Sequence, residues 1–394
     1  MVPDRVLQRR ILPGPKGPQI KKGGIKLRVV LFENSSVIQS APEFSLSGNP
    51  VGYVNGFVHI SEEEKRKLIK EAKRIWEKAR KGFSQEKFIG HVRFDMIPDV
   101  EHSFPKKKTD NGSISYDLGN LEVKGCYEIN AQDPECAAAD AALKKAVKNG
   151  TPLAAKRLAE MMGYFFGKKE IAFVQGNGAV KNCWGSYFFD ALRKEGLKTV
   201  PMSPKEVVSK KPEVIWRWGI IQWKQDDDLP WDFGKWLLRA QNNSTTVVNH
   251  LFSPQETAVD DKRLVMEKED ATLSQENAAS VIKNKENYVL KPLRGGSGRG
   301  IYFGKNLTQQ EWERAVRFAI SNGNYGAFKA KWLPKIRLGK ENVTLDANPA
   351  FLFDGKELHY LYTIIRLDKW ENYQQRGAIN VARGGGFAGT AAEG

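Results

Sequence analysis

The chain carries the segment Tyr288-Val289-Leu290-Lys291-Pro292-Leu293-Arg294-Gly295-Gly296-Ser297-Gly298-Arg299-Gly300-Ile301-Tyr302-Phe303-Gly304. An apolar strand that ends near Lys291, a glycine-rich loop and a second apolar strand predict a β-hairpin. Glycines allow positive φ and leave backbone N–H groups uncovered, so such a loop can fold over a polyphosphate beside the charge of Lys291. The spacing excludes a Walker loop, and no helix follows directly as in a dinucleotide-binding fold. A glycine-rich surface hairpin fits these residues about equally well.

Length and composition narrow the class of protein. A chain of 394 residues favours two or three domains. Its cysteines, Cys126, Cys136 and Cys183, are too few and too scattered for a disulfide framework or a zinc site. No apolar run is long enough to cross a membrane, and the N-terminus lacks the apolar stretch of a signal peptide. We therefore expect a cytoplasmic, reduced protein without a membrane partner.

The formal charge of +16 indicates a polyanionic partner. Part of this charge lies in residues 1–27, which are basic, rich in proline and glycine, and without hydrophobic periodicity, as is typical of a flexible tail. Nucleic acid is one candidate partner, bound through this tail and through base stacking on the aromatic segment Trp216 to Trp223. That segment also has a strand pattern, which favours a core role for its tryptophans, so the nucleic-acid alternative is not preferred.

Hydrophobic periodicity divides the remaining chain into three regions. Residues 28–150 contain strands and one strong amphipathic helix, which Ser61 caps and which runs to about Lys81. The apolar face of this helix consists of Leu68, Ala72, Ile75, Trp76 and Ala79. Residues 151–250 follow a βαβ pattern and predict a small α/β domain. Residues 251–394 contain the opening hairpin and a second strong hairpin, Thr344 to Phe353 and Glu357 to Arg366.

A first group of polar residues lies on two apolar strands. Arg93 and Asp95 alternate on one strand, and Glu128 and Asn130 alternate on another, so each pair shares one face. Carboxylate and amide oxygens are hard ligands that suit Mg²⁺, which also binds substrate phosphates. Neighbouring strands would bring three oxygen donors and a guanidinium into one site. Solvent-facing residues on half-exposed strands are the competing interpretation, and it is favoured when each pair is considered alone.

A second group is basic and follows later in the chain. It consists of Lys262, Lys291, the glycine-rich loop and Arg366. Lysine and arginine neutralise phosphoryl charge, and arginine can bind a phosphate or carboxylate through two parallel hydrogen bonds. Taken singly, each of these residues is more often a surface charge.

In this order the motifs resemble one family. The residues that carry the resemblance are Arg93-Phe94-Asp95, Glu128-Ile129-Asn130-Ala131-Gln132-Asp133-Pro134, Asp261-Lys262-Arg263-Leu264 and Val289-Leu290-Lys291-Pro292-Leu293. Together they are similar to the synthetase domain of glutathionylspermidine synthase, a circularly permuted ATP-grasp ligase. In that permuted type the Glu-x-Asn strand precedes the nucleotide-binding lysines, as it does here. The resemblance extends in patches from about Phe88 to about Arg383.

The resemblance implies an α/β (α+β) ATP-grasp fold, circularly permuted, with an additional small α/β domain like those that precede ATP-grasp domains. It implies Asp95, Glu128 and Asn130 as magnesium ligands and Arg93 and Arg366 as catalytic arginines at the transferred phosphate. The implied nucleotide-binding residues are Lys262, Lys291, the lid residues Gly295, Gly296, Ser297, Gly298 and Gly300, and the hinge residues Lys329, Lys331 and Leu333.

The activity implied is ATP- and Mg²⁺-dependent ligation of a small-molecule or peptide carboxylate to an amine, either a peptide or a polyamine. The two substrates stay open, because the segment between Asp95 and Glu128 is longer than in the family and lysines occupy the hinge. The sequence does not indicate the oligomeric state. A degenerate ATP-grasp protein that binds ATP without ligating is a further alternative. The intact Asp, Glu and Asn set speaks against it.

Overall fold

A computed structural model gives the fold. The structure describes residues 25–32, 38–46, 49–54, 56–81, 90–99, 106–108, 114–117, 121–130, 154–174, 190, 192–217, 236, 239–240, 245–248, 261–294, 300–338, 340–379 and 385–388. Residues 295–299 of the glycine-rich loop, the predicted tail up to residue 24, Ala131 to Pro134, and residues 218–223 of the aromatic segment lie outside these ranges.

The chain is a mixed α/β structure. The first ten strands are β1 Ile25–Phe32, β2 Ile38–Leu46, β3 Asn49–Val54, β4 Gly56–His59, β5 Gly90–Asp99, β6 Lys106–Lys108, β7 Ile114–Asp117, β8 Leu121–Asn130, β9 Ile171–Val174 and β10 Thr199–Met202. The others are β11 Val214–Arg217, β12 Thr246–Val248, β13 Ala271–Thr272, β14 Tyr288–Pro292, β15 Tyr302–Phe303, β16 Tyr325–Lys329, β17 Ile336–Leu338, β18 Glu341–Phe353, β19 Leu358–Lys369 and β20 Gly386–Ala388.

Helices connect and cover these strands. The α-helices are α1 Glu62–Arg80, α2 Ala154–Phe166, α3 Pro204–Lys210, α4 Gln275–Lys283, α5 Gln309–Asn322 and α6 Trp370–Arg376. Short 3-10 helices span Lys262–Val265, Lys285–Asn287 and Gly304–Asn306. Within the described ranges, no helix is both long enough and apolar enough to pass through a membrane.

The strands form one large sheet and two small ones. The large sheet has 12 strands along the path β2-β3-β20-β19-β18-β5-β8-β1-β7-β6, with β17 beside β18 and β4 beside β1. The parallel sheet β10-β9-β11-β12 falls within residues 151–250, where the sequence predicts an α/β unit. The third sheet, β13-β16-β14-β15, is antiparallel and carries the opening hairpin, in which Val289 pairs with Phe303.

The large sheet joins distant parts of the chain. Strands β5 and β8 come from the predicted 28–150 region, and β18 and β19 come from the region after residue 250. Strand β5 pairs with β8 on one side and with β18 on the other, both antiparallel. The last three residues of the predicted tail, residues 25–27, belong to β1 and pair with β8.

Helix α1 covers one face of the large sheet. Ser61 accepts a hydrogen bond from the backbone N–H of Glu64, and acidic residues occupy the first turn, where they favour the helix dipole. All five residues of its predicted apolar face are buried in the main hydrophobic core. There they lie with Val92, Phe94 and Met96 of β5 and with alternate residues of β18 and β19. Because side chains alternate along a strand, the residues between them belong to the other face.

We expect Trp76→Ala to lower the free energy of unfolding by about 3–5 kcal/mol, because it removes a large buried side chain. The indole is 2% exposed and packs on Phe353 with the ring centroids 5.0 Å apart. Denaturant unfolding followed by circular dichroism measures the change. Lys78→Ala is the matched control on the exposed face of the same helix, and it should stay within about 0.5 kcal/mol of the parent. A Trp76 variant as stable as this control would show that α1 does not hold the sheet.

Candidate functional site

Charged side chains gather on the face of the large sheet that α1 does not cover. Strand β5 contributes Arg93 and Asp95, β18 contributes Asp346, and β19 contributes Arg366. Each alternates with residues of the hydrophobic core, such as Phe94, which fixes the face on which it lies. Two of the predicted residues from the first group and one from the second therefore meet in a single cluster.

Arg366 lies at the centre of this cluster. Its Nε donates to Oδ1 of Asp346 at 3.0 Å, and its Nη2 donates to Oδ2 of the same carboxylate at 2.6 Å. The Nη2 group also donates to Oδ2 of Asp95 at 3.1 Å. On the other side of Asp95, Oδ1 lies 2.9 Å from Nε of Arg93. The guanidinium of Arg366 thus joins two carboxylates that come from β5 and β18.

These charges are buried. The exposed fraction is 3% for Asp95, 1% for Asp346 and 7% for Arg93. Burial alone would raise the pKa of Asp95, but the charges and hydrogen bonds of Arg366 and Arg93 outweigh it, so the pKa lies below its ordinary value. Asp95 is therefore an ionised carboxylate at neutral pH.

Strand β8 brings Glu128 and Asn130 to the same place in the sheet. Glu128 is the register partner of Asp95, and Asn130 is the register partner of Arg93. Directly opposed residues of an antiparallel pair lie on the same face of a sheet. The neighbouring strands that the predicted magnesium site requires are thus present in the backbone. Among the side chains that the structure describes, no group of three or more His, Cys, Asp and Glu could hold a metal ion.

Lys262 lies where the large sheet and the hairpin sheet approach each other. It is buried in the 3-10 helix Lys262–Val265, which packs against β8. Its backbone N–H donates to the carbonyl of Leu293 at 2.9 Å, directly after β14. Asp261 caps this helix and binds Arg263, and Nη2 of Arg294 lies 4.0 Å from its carboxylate. The two predicted lysine segments are therefore adjacent in space.

Lys291 is half-buried on β14, with its Nζ 5.5 Å from the ring centroid of Phe328. Gly300, the last glycine of the predicted lid, has φ +70°, and a Cβ there would lie 2.7 Å from the hydroxyl of Tyr325. Glycine is therefore required at that position both for the backbone and for the space. The other predicted lid residues, Gly295, Gly296, Ser297 and Gly298, lie outside the part of the chain that the structure describes.

The predicted hinge residues have contacts of their own. The side chain of Lys331 forms an ion pair with Glu267, and the backbone N–H of Lys329 donates to Asp270 at 2.6 Å. Leu333 is buried, and its N–H donates to the hydroxyl of Tyr373 at 3.0 Å. Because this N–H already donates to Tyr373, a purine bound at the hinge would have to form its hydrogen bonds with other backbone groups than the N–H of Leu333.

The sequence analysis missed Asp346, Asn348 and Tyr373. Asn348 is fully buried, and its Nδ2 donates to Oδ1 of Asp346 at 2.7 Å. The available signal was the alternation Asp-x-Asn on β18, which repeats the Glu-x-Asn spacing of β8. Burial raises the pKa of Tyr373 to about 12, and the negative charge of Asp346 contributes to this rise. The hydroxyl of Tyr373 therefore stays protonated at neutral pH.

Comparison with known proteins adds little to this geometry. No family model matches the sequence, and no curated protein matches it. Among solved structures, the crystal structure of D-cycloserine synthetase DcsG is similar over 50% of this chain and 67% of that chain, with 14% sequence identity and a TM-score of 0.31. A likeness of this size carries no argument about activity.

We expect Arg366→Ala to destabilise the protein by about 3–5 kcal/mol at neutral pH, because it leaves two buried carboxylates without their shared guanidinium. The loss should shrink as the pH falls. Without Arg366 the pKa of Asp95 rises, so protonation of Asp95 at lower pH removes the unfavourable buried charge from the variant. The parent, in contrast, loses the stabilisation that comes from its ionised Asp95 as the pH falls below about 4.

Chemical denaturation across a pH series measures this difference. Arg337→Ala, at an exposed position on β17 beside β18, is the control and should have a small effect at every pH. A destabilisation of Arg366→Ala that grows toward acid would contradict the assignment of Asp95 as an ionised partner of Arg366.

Proposed function

We propose that this protein is an ATP- and Mg²⁺-dependent carboxylate–amine ligase that forms an amide bond through an acyl phosphate. In this proposal the large sheet and the hairpin sheet form a circularly permuted ATP-grasp fold, similar to the synthetase domain of glutathionylspermidine synthase, and the protein acts in the cytoplasm. One observation carries the proposal. It is the buried cluster of Arg93, Asp95 and Arg366, with Glu128 and Asn130 at the adjoining register positions.

Burial supports a functional role for this cluster. The competing interpretation was that Arg93 and Asp95 face water on a half-exposed strand. It does not hold for these two residues, because they are at most 7% exposed. Burying an ion pair costs desolvation free energy that its Coulomb attraction only partly returns. Apolar residues of similar size would stabilise the sheet at least as well. The cluster is therefore better explained by a ligand of high charge than by stability.

The residues present fit a magnesium ion. Carboxylate and amide oxygens are the ligands that Mg²⁺ prefers, and Asp95, Glu128 and Asn130 supply them from adjacent positions of β5 and β8. When bound, the ion neutralises charge on the phosphates of ATP and orients them. Asp95 meets the requirement for an ionised ligand, since its pKa lies below the ordinary value.

The arginines would serve the reacting phosphate. A carboxylate oxygen of the acid substrate attacks the γ-phosphorus of ATP, and ADP leaves with the electrons of the broken P–O bond. The amine then attacks the acyl carbon, phosphate leaves, and the nitrogen loses a proton. Arg93 and Arg366 are held in fixed positions by Asp95 and Asp346, so they can stabilise phosphoryl charge with little reorganisation.

Lys262 and Lys291 would bind the nucleotide. The 3-10 helix that begins at Lys262 contacts β8, and the N–H of Lys262 donates to Leu293, two residues before the glycine-rich loop. Lys291 stands on the strand that enters this loop. Lysine provides a point charge for the phosphates, whereas the two-pronged binding of the transferred group falls to arginine.

The nucleic-acid alternative is weakened at one residue. Trp216 is 1% exposed and stacks on Phe173 with ring centroids 4.9 Å apart. A buried indole in the parallel sheet cannot stack on a base, so this tryptophan is part of a core, as its strand pattern favours.

The test of the proposal is ADP release. The full-length protein, ATP and Mg²⁺ are incubated with pairs of acids and amines that include peptides and polyamines, and mass spectrometry identifies the product. We expect ADP formation that requires both an acid and an amine, together with a product whose mass is the sum of the two less one water. Release of ADP without any condensed product would favour an ATPase, and absence of nucleotide binding would refute the proposal.

We expect Lys291→Ala to weaken binding of a non-hydrolysable ATP analogue by about tenfold to a hundredfold, the loss of one charge-assisted contact of about 1.5–3 kcal/mol. Calorimetric titration measures the affinity. Lys283→Ala, at an exposed position in the last turn of α4, is the matched control and should bind as the parent does. Equal affinities for parent and Lys291→Ala would make the glycine-rich segment a surface hairpin.

A further inference from the structure

Asn348 lies in the same cross-strand row as the proposed metal ligands. Strand β18 pairs with β5 on the side opposite to β8, with Ala347 beside Met96 and Ala350 beside Arg93. Between these pairs, the register brings Asn348 opposite Asp95. Glu128 is opposite Asp95 on the other side. Three adjacent strands thus have Glu128, Asp95 and Asn348 at directly opposed register positions.

The amide oxygen of Asn348 is buried without a hydrogen-bond partner. The residue is 0% exposed, and its Oδ1 accepts no hydrogen bond within the described part of the structure. Its Nδ2 donates to Oδ1 of Asp346. Rotating the amide by 180° would turn its oxygen toward that carboxylate, so the orientation is fixed by repulsion. A buried acceptor without a donor costs about 1–3 kcal/mol, and this one belongs to a residue in the row of the proposed metal ligands.

Asp346 holds this orientation rigidly. Its Oδ1 accepts from both Asn348 and Arg366, and its Oδ2 accepts from Arg366 again. The residue that follows is Pro349, which cannot donate to the sheet ladder and lies directly before the register shift between Ala350 and Phe351.

We propose that Oδ1 of Asn348 is an oxygen ligand of the divalent cation that accompanies ATP, beside Asp95 and Glu128, and that Asp346 is the positioning residue that directs it. The inference rests on the proposed function. Arg93 and Arg366 balance the charges of Asp95 and Asp346, so within the row only Glu128 adds a net negative charge, and a free cation binds weakly. The phosphates of the nucleotide bring the missing negative charge, and the cation therefore binds as part of the nucleotide complex.

The test measures Mn²⁺ binding to the full chain by electron paramagnetic resonance. The protein is first saturated with a non-hydrolysable ATP analogue, and Mn²⁺ is titrated into the complex. We expect Asn348→Leu, which keeps the size of the side chain and removes the oxygen, to raise the Kd for Mn²⁺ about tenfold or more. Without nucleotide, parent and variant should both bind Mn²⁺ weakly.

Thr344→Val is the matched control. Thr344 lies on the same strand and face, is fully buried, and its hydroxyl also has no hydrogen-bond partner in the described part of the chain, but it pairs with Asp368 and lies outside the row. The control should bind Mn²⁺ as the parent does. Equal losses in Thr344→Val and Asn348→Leu would mean that any change in β18 disturbs the site, which would overturn the proposal.

Asn348→Ala covers the case in which the leucine variant does not fold. It removes the same oxygen without adding bulk or charge, so we expect the same rise in the Kd for Mn²⁺. Binding equal to that of the parent would overturn the proposal. A parent protein that binds the nucleotide with Mn²⁺, together with an unchanged Asn348→Leu, would refute only the role of Asn348. A parent that binds neither would refute the proposed function itself.

Discussion

The bidentate pair between Arg366 and Asp346 is the contact on which the polar side of the large sheet depends. It lies between β19 and β18, at directly opposed register positions, and the same guanidinium reaches Asp95 on β5. Three strands are thereby joined by side chains as well as by their backbones. A guanidinium suits this place because it offers donors in several directions at once, which an ammonium of the same charge cannot do.

Strand alternation puts the main hydrophobic core on one face of the large sheet and the charged cluster on the other. One set of residues on β5, β18 and β19 packs against α1 and forms the main core. The residues between them include the charged cluster of Arg93, Asp95, Asp346 and Arg366. Because the period of a strand is two, a slip of one position would send the charges into the core, so packing of α1 also fixes the register of the polar cluster. The fold can therefore hold costly charges without loss of specificity.

Local sequence signals predicted the elements well. The apolar face of α1, the strand β8 and the two hairpins follow from periodicity and turn residues, and the structure has them. What periodicity could not reveal is which strands are neighbours. That β5 lies between β8 and β18 depends on contacts more than 200 positions apart in the numbering, and no local pattern encodes them. For the same reason Asp346 and Asn348 were missed: their Asp-x-Asn spacing becomes meaningful only beside Asp95.

The balance of charge in the cluster determines which ligands the proposed site would favour. The described cluster pairs two arginines with two aspartates, so these four charges balance one another. A free divalent cation would meet two guanidinium groups, and a free polyphosphate would meet two carboxylates. Each is disfavoured alone, whereas a cation already bound to phosphate brings both signs together and leaves each protein charge with an opposite partner. Under the proposed function, such a site would therefore bind the metal–nucleotide complex in preference to either component alone.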